Sequence, residues 1–107
     1  MVIVLDTNVL VAATLSPFGA SFQILTLVPQ RRFELLLSVP LMLEYEEVLK
    51  REDIRARSHL TLEEVDVLLD MRADTIVTMN TRDFLPAAWR FGVEILRPGE
   101  LLRRLRS

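Results

Sequence analysis

No cysteine occurs among the 107 residues, which removes thiolate nucleophiles, disulfides and cysteine-ligated zinc and fits a cytosolic protein. Histidine occurs once, at His59, so a histidine-built zinc site is disfavoured too. An excess of positive charge is also missing. Thirteen basic residues stand against fifteen acidic ones, a formal charge of -2, so the chain is not the cationic body of a passive nucleic-acid coat. Any nucleic-acid contact must therefore be local. The first positive side chain is Arg31, and Asp6 and Asn8 interrupt the apolar start, which argues against a signal peptide. No run is long enough to cross a membrane. The resulting expectation is one cytoplasmic domain over residues 1–107 with no membrane partner. Half of the residues are hydrophobic. In a domain this small, that content supplies a modest core and equally suits a dimer or partner surface.

Val2-Ile3-Val4-Leu5 reads as a strand buried on both faces, ending in Asp6-Thr7-Asn8. A buried helix over Val9–Thr14 follows, stopped by Ser16-Pro17-Phe18-Gly19, and then a helix over Ala20–Val28 ended by Pro29. Phe33–Leu37 reads as a second strand, and Pro40 begins a helix with Leu41, Tyr45, Val48 and Leu49 on its apolar face. Arg51 to Arg57 is a charged surface stretch. Thr61-Leu62-Glu63-Glu64 is a capping box for a helix to Met71. Strands at Thr75–Thr78 and Val93–Leu96 and a helix from Pro98 complete the chain. Strands alternating with helices imply an α/β fold with a parallel sheet and right-handed crossovers.

Parallel strands finish on one side of the sheet, so Asp6 and the turn Asn80-Thr81-Arg82-Asp83 are expected at a common rim. Helices start there as well, and an acid in a helix's first turns is favoured by the helix dipole. Glu44 meets that condition: it flanks the Leu41/Tyr45/Val48 face, whereas Glu46 and Glu47 turn toward water. Carboxylates brought this close repel one another, and Mg²⁺ or Mn²⁺ is the usual compensation. Such a cation activates water and stabilises charge at phosphorus, so phosphodiester hydrolysis is the natural chemistry. Arg82 and the arginines at 97, 103, 104 and 106 offer local positive charge for a nucleic-acid backbone.

Each residue also has a plainer reading. Asp6-Thr7-Asn8 suits a helix cap equally well, and Asn80 and Asp83 are ordinary turn formers. Glu44 alone resembles a solvated helix glutamate. The terminal arginines suit a helix C-terminus, and His59 suits a surface loop.

Taken together, Val4-Leu5-Asp6-Thr7-Asn8-Val9-Leu10, Leu37-Ser38 with Leu43-Glu44, and Ala73-Asp74-Thr75-Ile76-Val77-Thr78-Met79-Asn80-Thr81-Arg82-Asp83-Phe84 resemble PIN-domain proteins. Gly92 to Leu102 resembles the last strand and helix of prokaryotic members that are toxin components of toxin-antitoxin systems. The resemblance implies a Rossmann-like three-layer α/β/α fold with a short parallel sheet. It also implies a Mg²⁺- or Mn²⁺-dependent ribonuclease acting on RNA, a cognate antitoxin that blocks the site, and a homodimer. The family's first acid falls on Asp6, its helix acid on Glu44, and its late strand-end region on Asn80 and Asp83. The resemblance further implies that Thr78 supplies a hydroxyl to orient a ligand or water and that Asn8 positions Asp6 from behind.

One feature of that family is absent: a helix headed by an Asp-Pro-Asp-Asp-like cluster before the strand at Thr75. Asp66, which flanks the apolar side formed by Leu62, Val65, Leu68 and Leu69, is the candidate replacement ligand. Two functions follow as expectations. The first is a ribonuclease in which Asp6, Glu44 and Asp83 hold the cation directly or through water. The second is a shortened, catalytically weak fold that captures RNA or an antitoxin. A phosphoacceptor receiver would need a late lysine, and Lys50 is the only one; a haloacid-dehalogenase-type phosphatase would want an aspartate where Asn8 stands.

Overall fold

The chain begins with three β-branched residues and a leucine, whose side chains suit a pleated, doubly covered strand. In the computed structural model, which describes residues 1–36, 39–50, 68 and 70–106, they form β1 (Val2–Leu5). It is followed by α1 (Thr7–Leu15), α2 (Ala20–Leu27), β2 (Glu34–Leu35), α3 (Val39–Lys50), β3 (Thr75–Val77), α4 (Leu85–Phe91), β4 (Glu94–Leu96) and α5 (Pro98–Arg106). The strands form one parallel sheet in the order β2-β1-β3-β4. All four consequently present their carboxyl ends to the same rim.

Successive strand residues point to opposite faces, and the sheet accordingly separates two apolar clusters. Ile3, Leu5, Val77 and Leu96 pack with Val9 of α1, Ile24 of α2 and Leu101, Leu102 and Leu105 of α5. On the other face, Val4 and Ile76 pack with Leu41 of α3, Leu68, and Phe84 and Ala87 at the start of α4. The result is the parallel sheet that the strand–helix alternation predicts, with the α/β/α layering that the family resemblance implies. Ile3, Ile24, Leu41 and Leu101 are fully buried, each contributing about 1.5–3 kcal/mol on transfer from water.

Several boundaries differ from expectation. Of the strand predicted over 33–37, Glu34 and Leu35 pair with β1 and the Leu36 N–H donates to the Ile3 carbonyl at 2.8 Å, while Phe33 is drawn into the core and Leu37 lies outside the described residues. The second helix stops at Leu27, and Pro29 sits inside a 3₁₀ turn, Val28–Gln30, where its missing N–H costs nothing. Helix α4 carries no periodic signal, because its seven residues bury Ala87 while leaving Trp89 80% exposed. It ends at Gly92, whose φ of +69° is left-handed. Of the helix predicted after the Thr61–Glu64 capping box, Leu68 and Asp70 are described and helical. Asp66, His59 and the box itself lie outside the described residues. No single helix among the described residues is long and apolar enough to cross a membrane.

Candidate active site

Register fixes the centre of the site. β1 pairs with β3 at Ile3–Thr75, Val4–Ile76 and Leu5–Val77, so the next residues, Asp6 and Thr78, stand side by side where both strands end. The Asp6 N–H closes the ladder on the Val77 carbonyl at 2.8 Å, and the Thr78 N–H does the same on Leu96 at 2.9 Å. Both side chains are fully buried.

Asp6 occupies the position preceding α1 with extended backbone (φ −62°, ψ 146°), yet its side chain makes no capping bond to that helix. Its carboxylate instead accepts a 2.6 Å hydrogen bond at Oδ2 from the Thr78 hydroxyl. The backbone N–H of Asn80 in turn donates to Thr78 Oγ1 at 3.0 Å, fixing the hydroxyl's direction. The capping reading of Asp6 is therefore set aside: a buried acid is held by a hydroxyl on the neighbouring strand. Thr78 was expected to orient a ligand or water, and in the structure it orients the acid itself.

Asn8 lies in the first turn of α1 and ties it to the end of β3, its Oδ1 accepting from the Met79 N–H at 3.3 Å. Its Nδ2 and the hydroxyl of Thr7 are buried without a hydrogen-bond partner among the described residues. An unmade buried hydrogen bond costs about 1–3 kcal/mol, so these two atoms, on the residues that follow Asp6, stand out as ones a bound polar group would satisfy. Thr7 was not singled out from the sequence. Its only signal was its place inside Asp6-Thr7-Asn8.

Glu44 is half-buried in the second turn of α3. The adjacent Tyr45 donates its hydroxyl to the carbonyl of Leu5, the residue before Asp6, and so seats this turn at the carboxyl end of β1. Asp83 is exposed in a 3₁₀ turn (Thr81–Phe84), its N–H bonded to the Asn80 carbonyl at 3.1 Å. Asn80 enters the network through its backbone. No three Asp, Glu, His or Cys side chains among the described residues are grouped to hold a metal ion. Asp6, Glu44 and Asp83 thus do not make a three-carboxylate cage, although a magnesium-type ion needs only one or two carboxylates when it keeps its waters.

Residues 2–84, which span the Asp6 strand end, α3 and the Thr78–Asp83 segment, match the PIN domain. The chain belongs to the PIN-domain family. No curated protein and no solved structure matches it. Within this PIN domain the matched region covers three of the four described strands, and β4 and α5 close the sheet beyond it. A PIN domain is a nuclease-type fold, and a divalent cation is the usual companion of its acids. The Asp6 carboxylate, followed in the chain by two buried polar groups without a partner among the described residues, is chemically suited to a hydrated cation.

Proposed function

We propose that this PIN domain is a Mg²⁺- or Mn²⁺-dependent ribonuclease, the toxin component of a toxin-antitoxin system, acting in the cytoplasm as a homodimer restrained by a cognate antitoxin. The observation that carries this reading is the buried Asp6 carboxylate gripped by Thr78 at a sheet rim, with Thr7 Oγ1 and Asn8 Nδ2 buried and without a hydrogen-bond partner among the described residues. Asp6 would hold the cation directly, with Glu44 and Asp83 reaching it through water and Asp66 as a further candidate. When bound, the cation supplies charge neutralisation at phosphorus and acidifies water.

The chain's own groups do the rest. Thr78 keeps the Asp6 carboxylate in one orientation, so no rearrangement is needed when substrate arrives. Asn8 Nδ2 and Thr7 Oγ1 are available to donate to phosphate oxygens. Hydrolysis joins a water oxygen to phosphorus and breaks one P–O ester bond, and the departing oxygen takes up a proton that water gives up.

The test is cleavage of single-stranded RNA by the wild-type chain and Asp6→Asn, each with Mn²⁺ and with EDTA. Metal-dependent cutting lost in the variant supports the enzyme; equal cleavage by both proteins refutes it. A second reading, a binding module that captures RNA or antitoxin without cutting, is favoured by the lack of a three-carboxylate group among the described residues. Tight RNA binding by wild type with no cleavage in Mn²⁺ selects it.

A further inference from the structure

The terminal arginines look alike in sequence, but the fold divides them. Arg104 grips both carboxylate oxygens of Glu94 on β4, and that neighbour raises its pKa above the ordinary arginine value. Arg106 donates to the side chain of Gln23 on α2. Arg97 and Arg103 have no ion-pair partner among the described residues, and both line a cavity of about 440 Å³ between α1, α2 and the start of α5. The guanidinium of Arg103 folds back over Gly99, where a Cβ would lie 3.9 Å from it.

This cavity adjoins the candidate active site. Met79, which follows Thr78 and whose N–H is held by Asn8, forms part of its wall. Its other walls are small, with Ala12, Gly19 and Ala20 among them. Ser21 also lines it, is 6% exposed, and its hydroxyl has no hydrogen-bond partner among the described residues. The acid in the lining, Glu100, is committed to the Arg97 N–H at 3.0 Å. A largely buried serine in the lining, two guanidiniums without an ion-pair partner among the described residues and an apolar interior of drug-pocket size describe a site for a flat, partly polar anion.

We propose that this cavity binds one nucleotide of the RNA strand, next to the phosphate presented to Asp6. The proposal rests on the ribonuclease reading for the identity of the strand, and on the cavity for everything else. The base enters between the small residues and Met79, whose thioether packs well on an aromatic ring. Ser21 bonds a base edge or the ribose 2′-hydroxyl, while Arg97 and Arg103 take the flanking phosphates. The N-terminal turn of α5 adds its dipole to theirs.

The experiment titrates the isotope-labelled wild-type chain, in EDTA, with a nucleoside 5′-monophosphate while amide shifts are recorded. Shifts centred on Gly19, Ala20, Met79 and Gly99 are expected. A fluorescent single-stranded oligoribonucleotide is then bound, also in EDTA, by wild type, Ser21→Ala, Arg97→Gln and Arg103→Gln at several salt concentrations. Each arginine change should weaken binding about tenfold and lower the log–log salt slope by about 0.7. Absent shifts at those amides with millimolar nucleotide, or affinities and slopes equal to wild type in both arginine variants, overturn the proposal. Binding as expected without metal-dependent cleavage leaves the pocket standing and removes the ribonuclease reading. Cleavage with unaltered binding in the variants does the reverse.

Discussion

The hydroxyl of Thr78 donates a 2.6 Å hydrogen bond to Oδ2 of Asp6, joining residues 72 apart in the chain at the ends of adjacent parallel strands. The acid is thereby turned away from the helix it precedes. Both partners are fully buried, so the bond is shielded from competing water and holds one orientation.

Replacing Thr78 tests that relationship. Thr78→Val keeps the branched shape but removes the hydroxyl's bond to the Asp6 carboxylate and strands the Asn80 N–H, a loss of about 1–3 kcal/mol. RNA cleavage should fall along with the urea midpoint, and Thr78→Ser should restore both. A valine variant as stable and as active as wild type would show that the hydroxyl does not position Asp6.

Tyr45 anchors α3 to β1 through the Leu5 carbonyl. Tyr45→Phe removes the hydroxyl's bond to that carbonyl and should cost about 0.5–1.5 kcal/mol. Because the same turn carries Glu44, cleavage should drop by more than the fraction unfolded explains. Urea titration and activity on the same sample separate the two effects.

Gly92 ends α4 at φ +69°, and a Cβ there would meet nothing within 4 Å. Gly92→Ala therefore reports backbone strain alone, and a destabilisation of about 1–2 kcal/mol is expected. The denaturant midpoint should fall with an unchanged m value.

Leu101 is fully buried where α5 closes one face of the sheet. Leu101→Ala should cost about 2–5 kcal/mol, a large share of the stability of so small a domain. Thermal unfolding monitored by circular dichroism would register it, and a midpoint within a degree or two of wild type would mean that α5 contributes little to the core.

The sequence by itself determined what depends on near neighbours. The doubly covered strand at Val2–Leu5, the turn at Ser16–Gly19, the α3 face with Leu41 and Tyr45, and the strand–helix close from Glu94 to Arg106 follow from side-chain period and turn chemistry. Helix α4 was not legible, because seven residues give too few repeats to show a period and its tryptophan faces water. Asp6 was legible as a candidate but stayed divided between cap and active-site acid, since aspartate satisfies both chemistries equally well. Only the tertiary structure removed the cap, because the β1–β3 register, set by a pairing across some seventy residues, brings Thr78 to the side of Asp6. The same holds for the arginines: Glu94 and Gln23 engage two, while Arg97 and Arg103 are left beside a cavity that exists only once α1, α2 and α5 have packed.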